Sequence, residues 1–143
     1  MTLRFVLCLY FAAISVQCSA QSLVNFRHLE HLTERIEFQG DTVSIVHVYA
    51  NYPSYKWVEA KETGTEGIAC VDDAARAAVV YLRHVEFTKD RTSLDRAKSL
   101  LRFILHMQDD DGTFYNFILA NHSINRTGET SRNLFGWWAG RSI

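Results

Sequence analysis

The chain has 143 residues, with 15 lysines and arginines against 16 aspartates and glutamates, so its formal net charge is −1. This length and an apolar fraction of 48% are typical of a single globular unit. No tract is rich in lysine and arginine, which argues against nucleic acid or an anionic membrane surface as the main partner.

The first twenty residues have the layout of a secretory signal peptide. Arg4 precedes an apolar run from Phe5 to Val16, and small residues lead to a cleavage site expected after Ala20. The run is short for a membrane span. We therefore expect residues 1–20 to be removed and residues 21–143 to be secreted or periplasmic, with no membrane partner after cleavage.

Three helices and one extended segment are predicted along the mature chain. An amphipathic surface helix is expected over residues 22–38, and an extended or β segment near residues 42–50. The second helix is predicted from about Asp72 to Glu86. It is apolar nearly all round, so we expect it to be buried on several sides. A third helix is predicted from Thr92 to about Gln108, and another apolar stretch begins at Leu134.

The two halves of the mature chain echo each other locally. ETGTEG (residues 62–67) parallels RTGETS (126–131), and VYANYP parallels ILANHS, in the same order. A repeated helical hairpin buries its apolar face only by stacking on its neighbours. The pattern therefore predicts a mainly α fold in which outer helices cover inner ones.

A more specific resemblance is carried by EGIACVDDAARAAVVYLRH, together with LLRFILHMQDDDGTFYNF and the later GWWAGR. These segments resemble exported bacterial proteins of the six-hairpin glycosidase type, which are (α/α) toroids. The resemblance implies helical hairpins of a toroid and a carbohydrate substrate. A closed toroid needs more helices than these, so residues 21–143 are expected to be its N-terminal part, with little activity alone. A complete three-helix domain is the alternative.

Two adjacent acids, Asp72 and Asp73, head the predicted second helix. One of them can cap the helix and Arg76 can pair with either, so a purely structural role is one interpretation. The resemblance implies instead that inner helix N-termini line a sugar-binding funnel. One of the two is then a candidate base, nucleophile or oxocarbenium stabiliser. Glu66 and Glu129, at matching places in the echoing connections, are candidate proton donors.

Aromatic residues are concentrated in the connections, and rings with a polar handle suit sugar stacking as well as core packing. We single out Tyr55, Trp57 and Trp137, together with Arg76, as candidate substrate-binding residues. Neither a zinc or EF-hand pattern nor a glycine-rich phosphate loop occurs in the sequence, so no metal and no cofactor are predicted.

The predicted function is that of a carbohydrate-active, glycoside hydrolase-like exported protein. Two alternatives stay open. One is a non-catalytic helical binding or scaffold module. The other is a toroid enzyme of another class, such as a polysaccharide lyase, because a fold does not determine its chemistry.

Overall fold

The computed structural model describes residues 24–142, and the expected signal peptide at residues 1–20 lies outside them. Four helices are found in this range: α1 (Arg27–Leu32), α2 (Val71–Thr88), α3 (Arg91–His106) and α4 (Ala139–Ser142). Six strands form three antiparallel pairs: β1 (Thr33–Phe38) with β2 (Asp41–Val46), β3 (Tyr49–Asn51) with β4 (Lys56–Val58), and β5 (Ala69–Cys70) with β6 (Phe117–Ile118). The prediction of a mainly α fold built from toroid hairpins is therefore wrong, because the described residues form a mixed α/β structure.

The first predicted helix, residues 22–38, accounts for most of this difference. Helix α1 has only six residues, and the chain then continues as β1. In β1 the buried Ile36 and Phe38 alternate with exposed charged residues, which is the period of a strand. Residues 39 and 40 both have positive φ and close a tight hairpin to β2. Pairing with β2 outweighs the helical spacing of the same apolar residues.

The extended segment expected near residues 42–50 is present as β2 and β3. The two long helices also lie close to their predicted positions. They form a helix hairpin that packs on β2, and α2 contributes small residues where α3 contributes large ones. The centre of this core consists of Val43, Ile45, Ala74, Ala78, Tyr81, Leu100 and Phe103. The expectation that α2 is buried on several sides is wrong for one face, where Val79 and Val80 are about half exposed.

The two long helices begin in different ways. The N-cap of α3 is Asp90, whose carboxylate accepts hydrogen bonds from the backbone N–H groups of Thr92 and Ser93 at 3.2 and 2.9 Å. These bonds, led by those from Ser93, lower the pKa of Asp90. Helix α2 starts directly at the end of β5, and its N-cap, Cys70, makes no side-chain capping bond.

Candidate functional site

An open pocket of about 290 Å³, here called the acidic cleft, lies at the N-terminal end of α2. Its wall combines the first turn of α2, residues 60–66 of the connection between β4 and β5, and side chains from residues 117–137. The polar and aromatic side chains that line it are Tyr49, Glu62, Glu66, Asp72, Asp73, Phe117, Thr130 and Trp137. Among the described residues, the lining set contains no lysine or arginine, so the acidic cleft is electronegative.

The start of α2 places two acids at this pocket. Because the chain runs straight from β5 into the helix, Asp72 and Asp73 are the second and third residues of the first turn. The helix dipole favours negative charge in that turn, although the N–H of Val71 is already hydrogen-bonded to the Asn116 carbonyl. The prediction that one of the acids is the N-cap is wrong, since the N-cap is Cys70.

Asp72 is a structural anchor, because arginines occupy both of its oxygens. The residue is only 3% exposed. Arg76, one turn further along α2, donates to Oδ2, and Nη1 of Arg141 in α4 lies 2.9 Å from each carboxylate oxygen. A buried carboxylate is stable when it is paired in this way. The two guanidinium groups therefore neutralise Asp72 and fix α4 against the start of α2.

Asp73 is the acid that remains available at the acidic cleft. Its side chain is 30% exposed, and its nearest cation, Nη1 of Arg76, is 3.9 Å away. The thiol of Cys70 lies behind it and donates to Oδ2 at 3.4 Å. Burial, followed by the charge of Asp73, raises the pKa of the Cys70 thiol well above its usual value. Cys70 therefore stays a neutral thiol, and Asp73 faces the open space.

Glu66 is held in place from three directions, although the residue is only 6% exposed. Its Oε1 accepts hydrogen bonds from the hydroxyls of Thr63 at 2.9 Å and Thr130 at 2.6 Å. Its Oε2 accepts one from the backbone N–H of Glu62 at 3.1 Å. A buried acid with this many donors has a fixed orientation, so Glu66 forms a rigid part of the cleft wall.

The two echoing connections predicted from sequence pack against each other around Glu66. The hydroxyl oxygens of Thr63 and Thr130 lie 3.4 Å apart. The side-chain amide of Asn125 donates hydrogen bonds to the backbone carbonyls of Thr65 and Glu66. Gly67 allows this close packing. With φ of +154° it adopts a backbone conformation that L side chains rarely take, and a Cβ there would lie 2.2 Å from a carbonyl oxygen of β6.

Tyr49 and Glu62 were missed by the sequence reasoning. The pKa of Tyr49 is raised to about 12, and hydrogen bonding to the Glu62 carboxylate is the largest cause. Glu66 and Asp73 add to this effect through their charges. Hydrogen bonding from Tyr49 is also the largest cause lowering the pKa of Glu62. The two residues are 13 positions apart and only the fold brings them together, so no local motif indicates the contact.

Four predicted site residues lie outside the lining of the acidic cleft. Glu129 is exposed, and its neighbour Thr130 is the residue that reaches Glu66. The guanidinium group of Arg76 forms an ion pair with Asp72. Tyr55 and Trp57 belong to a different region, described next.

We call this region the aromatic–histidine cluster; it consists of His31, Glu34, His47, Tyr55 and Trp57. The Trp57 ring stacks on the His47 imidazole at a centroid distance of 3.9 Å and an angle of 12°. Its indole N–H donates to the His31 carbonyl at 3.0 Å. His47 Nε2 lies 2.8 Å from Glu34, and His31 Nε2 lies 2.7 Å from the Tyr55 carbonyl oxygen. The rings of this cluster contact one another, but Tyr55 and Trp57 are partly exposed and the buried Nδ1 of His47 has no hydrogen-bond partner among residues 24–142.

No group of three or more metal-ligating side chains converges within residues 24–142. In the same range no helix has the length and apolar character needed to cross a bilayer. No protein-family model matches the chain, and no curated protein is significantly similar to it in sequence. Function must therefore be inferred from the geometry of the acidic cleft.

Proposed function

We propose that this is a carbohydrate-active, glycoside hydrolase-like protein, secreted or periplasmic, whose acidic cleft binds a sugar residue. One observation carries the proposal. Two separately held carboxylates, Asp73 on α2 and Glu66 on the connection before β5, face one open pocket beside the exposed indole of Trp137. Sugars are bound by carboxylates that accept hydrogen bonds from hydroxyls and by rings that stack on the C–H face of the pyranose.

The size of the pocket fits this class of ligand. Its volume of about 290 Å³ lies near the lower end of the range for small-molecule sites. A pocket of this size accommodates one sugar residue, and its open mouth leaves room for a chain to continue. Trp137 is 55% exposed, so a ring face is available for stacking.

The carboxyl groups divide into two candidate roles. Glycoside cleavage needs one ionised and one protonated carboxyl group on either side of the bond. Asp73, at a helix N-terminus, suits the ionised role of base, nucleophile or stabiliser. Glu66, which lines the same pocket from the connection before β5, is the candidate for the other role, that of proton donor.

The charge of the pocket separates this proposal from the alternative of a polysaccharide lyase. A lyase acts beside the carboxylate of a uronic acid, and that carboxylate needs a cation to neutralise it. Among the described residues that line the acidic cleft there is none, because Arg76 and Arg141 are both paired with Asp72. Neutral and amino sugars are therefore the favoured ligands.

Calorimetric titration with neutral and amino-sugar tetrasaccharides (cellotetraose, xylotetraose, chitotetraose), with a galacturonate oligomer as the acidic comparison, tests the proposal. We expect at least one neutral or amino sugar to bind and the galacturonate to bind poorly. Reducing-end release, measured for the wild type, Asp73→Asn and Glu66→Gln, then tests for turnover. Glu129→Gln is the matched control, since that residue is exposed and outside the lining.

Three outcomes are distinct. Turnover lost in both cleft variants but kept in Glu129→Gln supports a hydrolase. Binding without turnover in the wild type favours the non-catalytic binding module instead. If no neutral or amino sugar binds, the proposed function is wrong.

A further inference from the structure

The side chain of Arg141 joins two parts of the acidic cleft that are far apart in sequence. Its Nη1 lies 2.9 Å from both oxygens of Asp72, which is 69 positions earlier. Its guanidinium carbon also lies over the indole ring of Trp137, 5.0 Å from the ring centroid. One arginine therefore contacts both the buried acid at the start of α2 and the aromatic wall of the cleft.

Trp137 has a second fixed neighbour. Its ring meets that of Trp138 edge to face, at a centroid distance of 5.4 Å and an angle of 84°. Trp138 is buried, and its indole N–H donates to the Phe114 carbonyl at 3.0 Å. Trp137 thus lies between an anchored indole and an anchored guanidinium, although its own ring is mostly exposed.

Arg76 provides the contrast. It binds the same Asp72 carboxylate, but its other contacts lie on the α2 side, towards Asp73 and the apolar groove beside α1. Removing either arginine takes one positive charge from Asp72. Only the removal of Arg141 also takes the cation from the face of Trp137.

We infer that Arg141 is a positioning residue that holds the Trp137 ring in the orientation in which it forms the wall of the acidic cleft. Asp72 fixes the guanidinium, and the guanidinium fixes the ring through a cation–π contact. Nη1 of Arg141 contacts Asp72 while the guanidinium lies over the Trp137 ring, and a lysine ammonium is a compact charge with no planar face to stack on that ring. This inference rests on the proposed function for its effect on sugar binding, but the orientation of the ring can be tested without a sugar.

The first experiment is spectroscopic and needs no ligand. Two indoles at a fixed short distance give an exciton couplet in the circular dichroism spectrum. The couplet of Trp137 and Trp138 is obtained by subtracting the spectrum of Trp137→Phe from that of the wild type. We expect Arg141→Met to lose most of this couplet and Arg76→Met to keep it. If Arg141→Met does not fold, Arg141→Lys keeps a cation near Asp72 and should still weaken the couplet.

The second experiment measures the affinity for the tetrasaccharide that the wild type binds best. Arg141→Met should weaken binding about three- to tenfold, as expected for loss of a half-exposed cation–π contact, and Arg76→Met less than about twofold. In a Trp137→Ala background the effect of Arg141→Met should largely vanish, because the residue acts through the ring.

The outcomes separate the two proposals. A couplet that survives Arg141→Met, or that is lost equally in Arg76→Met, overturns the positioning role. Equal losses of affinity in the presence and absence of Trp137 overturn it as well. If the wild type binds no sugar, the proposed function is wrong, and the couplet still decides the role of Arg141.

Discussion

The acidic cleft and the aromatic–histidine cluster are built from similar side chains, and both contain residues that the sequence pointed to as sugar-binding. In the cluster, Trp57 has one face on His47 and its N–H on a backbone carbonyl. In the cleft, Trp137 has a cation over its ring, is 55% exposed and lines the same pocket as Asp73. The residue types are alike, but the two regions differ in which side chains remain available to a ligand.

This comparison shows that a candidate site is defined by which side chains face a common volume rather than by composition. In the aromatic–histidine cluster the Trp57 and His47 rings stack on each other, although open space borders the cluster and the buried Nδ1 of His47 has no hydrogen-bond partner among residues 24–142. In the acidic cleft two carboxylates held on different elements face one volume together with an exposed ring. The same distinction applies inside the cleft, where Asp72 is fully paired and Asp73 is not.

The largest expected effect tests this distinction between the two adjacent acids. Asp72→Ala removes the anchor of Arg76 and Arg141, and we expect it to lower the free energy of unfolding by about 2–3 kcal/mol. The arginines themselves are about half exposed and regain water, which limits the loss. Asp73→Ala is the control and should cost at most about 1 kcal/mol, through the helix dipole. Urea denaturation of both variants measures the difference; equal losses would contradict the assignment of Asp72 as the anchor.

The second prediction separates the two exposed tryptophans by ligand binding. Trp137→Ala should weaken the affinity of the acidic cleft for its tetrasaccharide about tenfold or more, because a central aromatic contact is removed. Trp57→Ala should leave this affinity within about twofold, since Trp57 does not line the acidic cleft. Calorimetric titration of both variants provides the comparison. A larger loss for Trp57 would move the binding site to the aromatic–histidine cluster.

The third prediction concerns the stability of the cluster. Trp57→Leu keeps an apolar side chain but removes the stack on His47 and the N–H bond to His31. We expect it to lower the free energy of unfolding by about 1–2 kcal/mol. Tyr52→Leu is a suitable control, because Tyr52 is 91% exposed and its ring should contribute little. A thermal melt in which both variants equal the wild type would show that the cluster contributes no stability.

The smallest effect is a titration shift at the cleft. The pKa of Tyr49 is raised to about 12 by the hydrogen bond to Glu62. The stabilising contribution is present below the pKa of a tyrosine in the unfolded chain and is lost as the pH rises through the folded value. Glu62→Gln should move the pKa of Tyr49 towards 10.0, its ordinary value. Phenolate absorbance during alkaline titration, compared with a Tyr49→Phe background, measures the shift, and Glu59→Gln is the matched control.

Part of the fold could be predicted because it depends on local signals. Helices α2 and α3 were placed within two residues at each end, since each is long, strongly patterned and bounded by polar residues. Residues 33–38 could not be assigned in this way. Their apolar residues satisfy a helical and a strand period at once, and pairing with β2, a tertiary contact, decides between them.

The candidate site was predictable only where sequence order follows spatial order. Asp73 was singled out because it heads a helix, and Glu66 because its connection echoes another. Only one of the two arginines that pair with Asp72 could be predicted from the sequence, because Arg76 is four residues away whereas Arg141 is 69 positions away. The effect of Glu62 on Tyr49 depends on a contact between residues 13 positions apart. A single sequence contains no signal for such a contact.

The reactivity of Cys70 can be used to detect a ligand in the acidic cleft. It is the one cysteine among residues 24–142, it is 4% exposed, and its thiol donates to Asp73 at the floor of the pocket. Because burial keeps the thiol protonated, alkylation requires the floor to open. The rate at which Cys70 is alkylated therefore measures how often the pocket opens at this point. A ligand bound at Asp73 should lower that rate. Occupancy of the cleft can thus be followed by mass spectrometry in the native chain, without an engineered label.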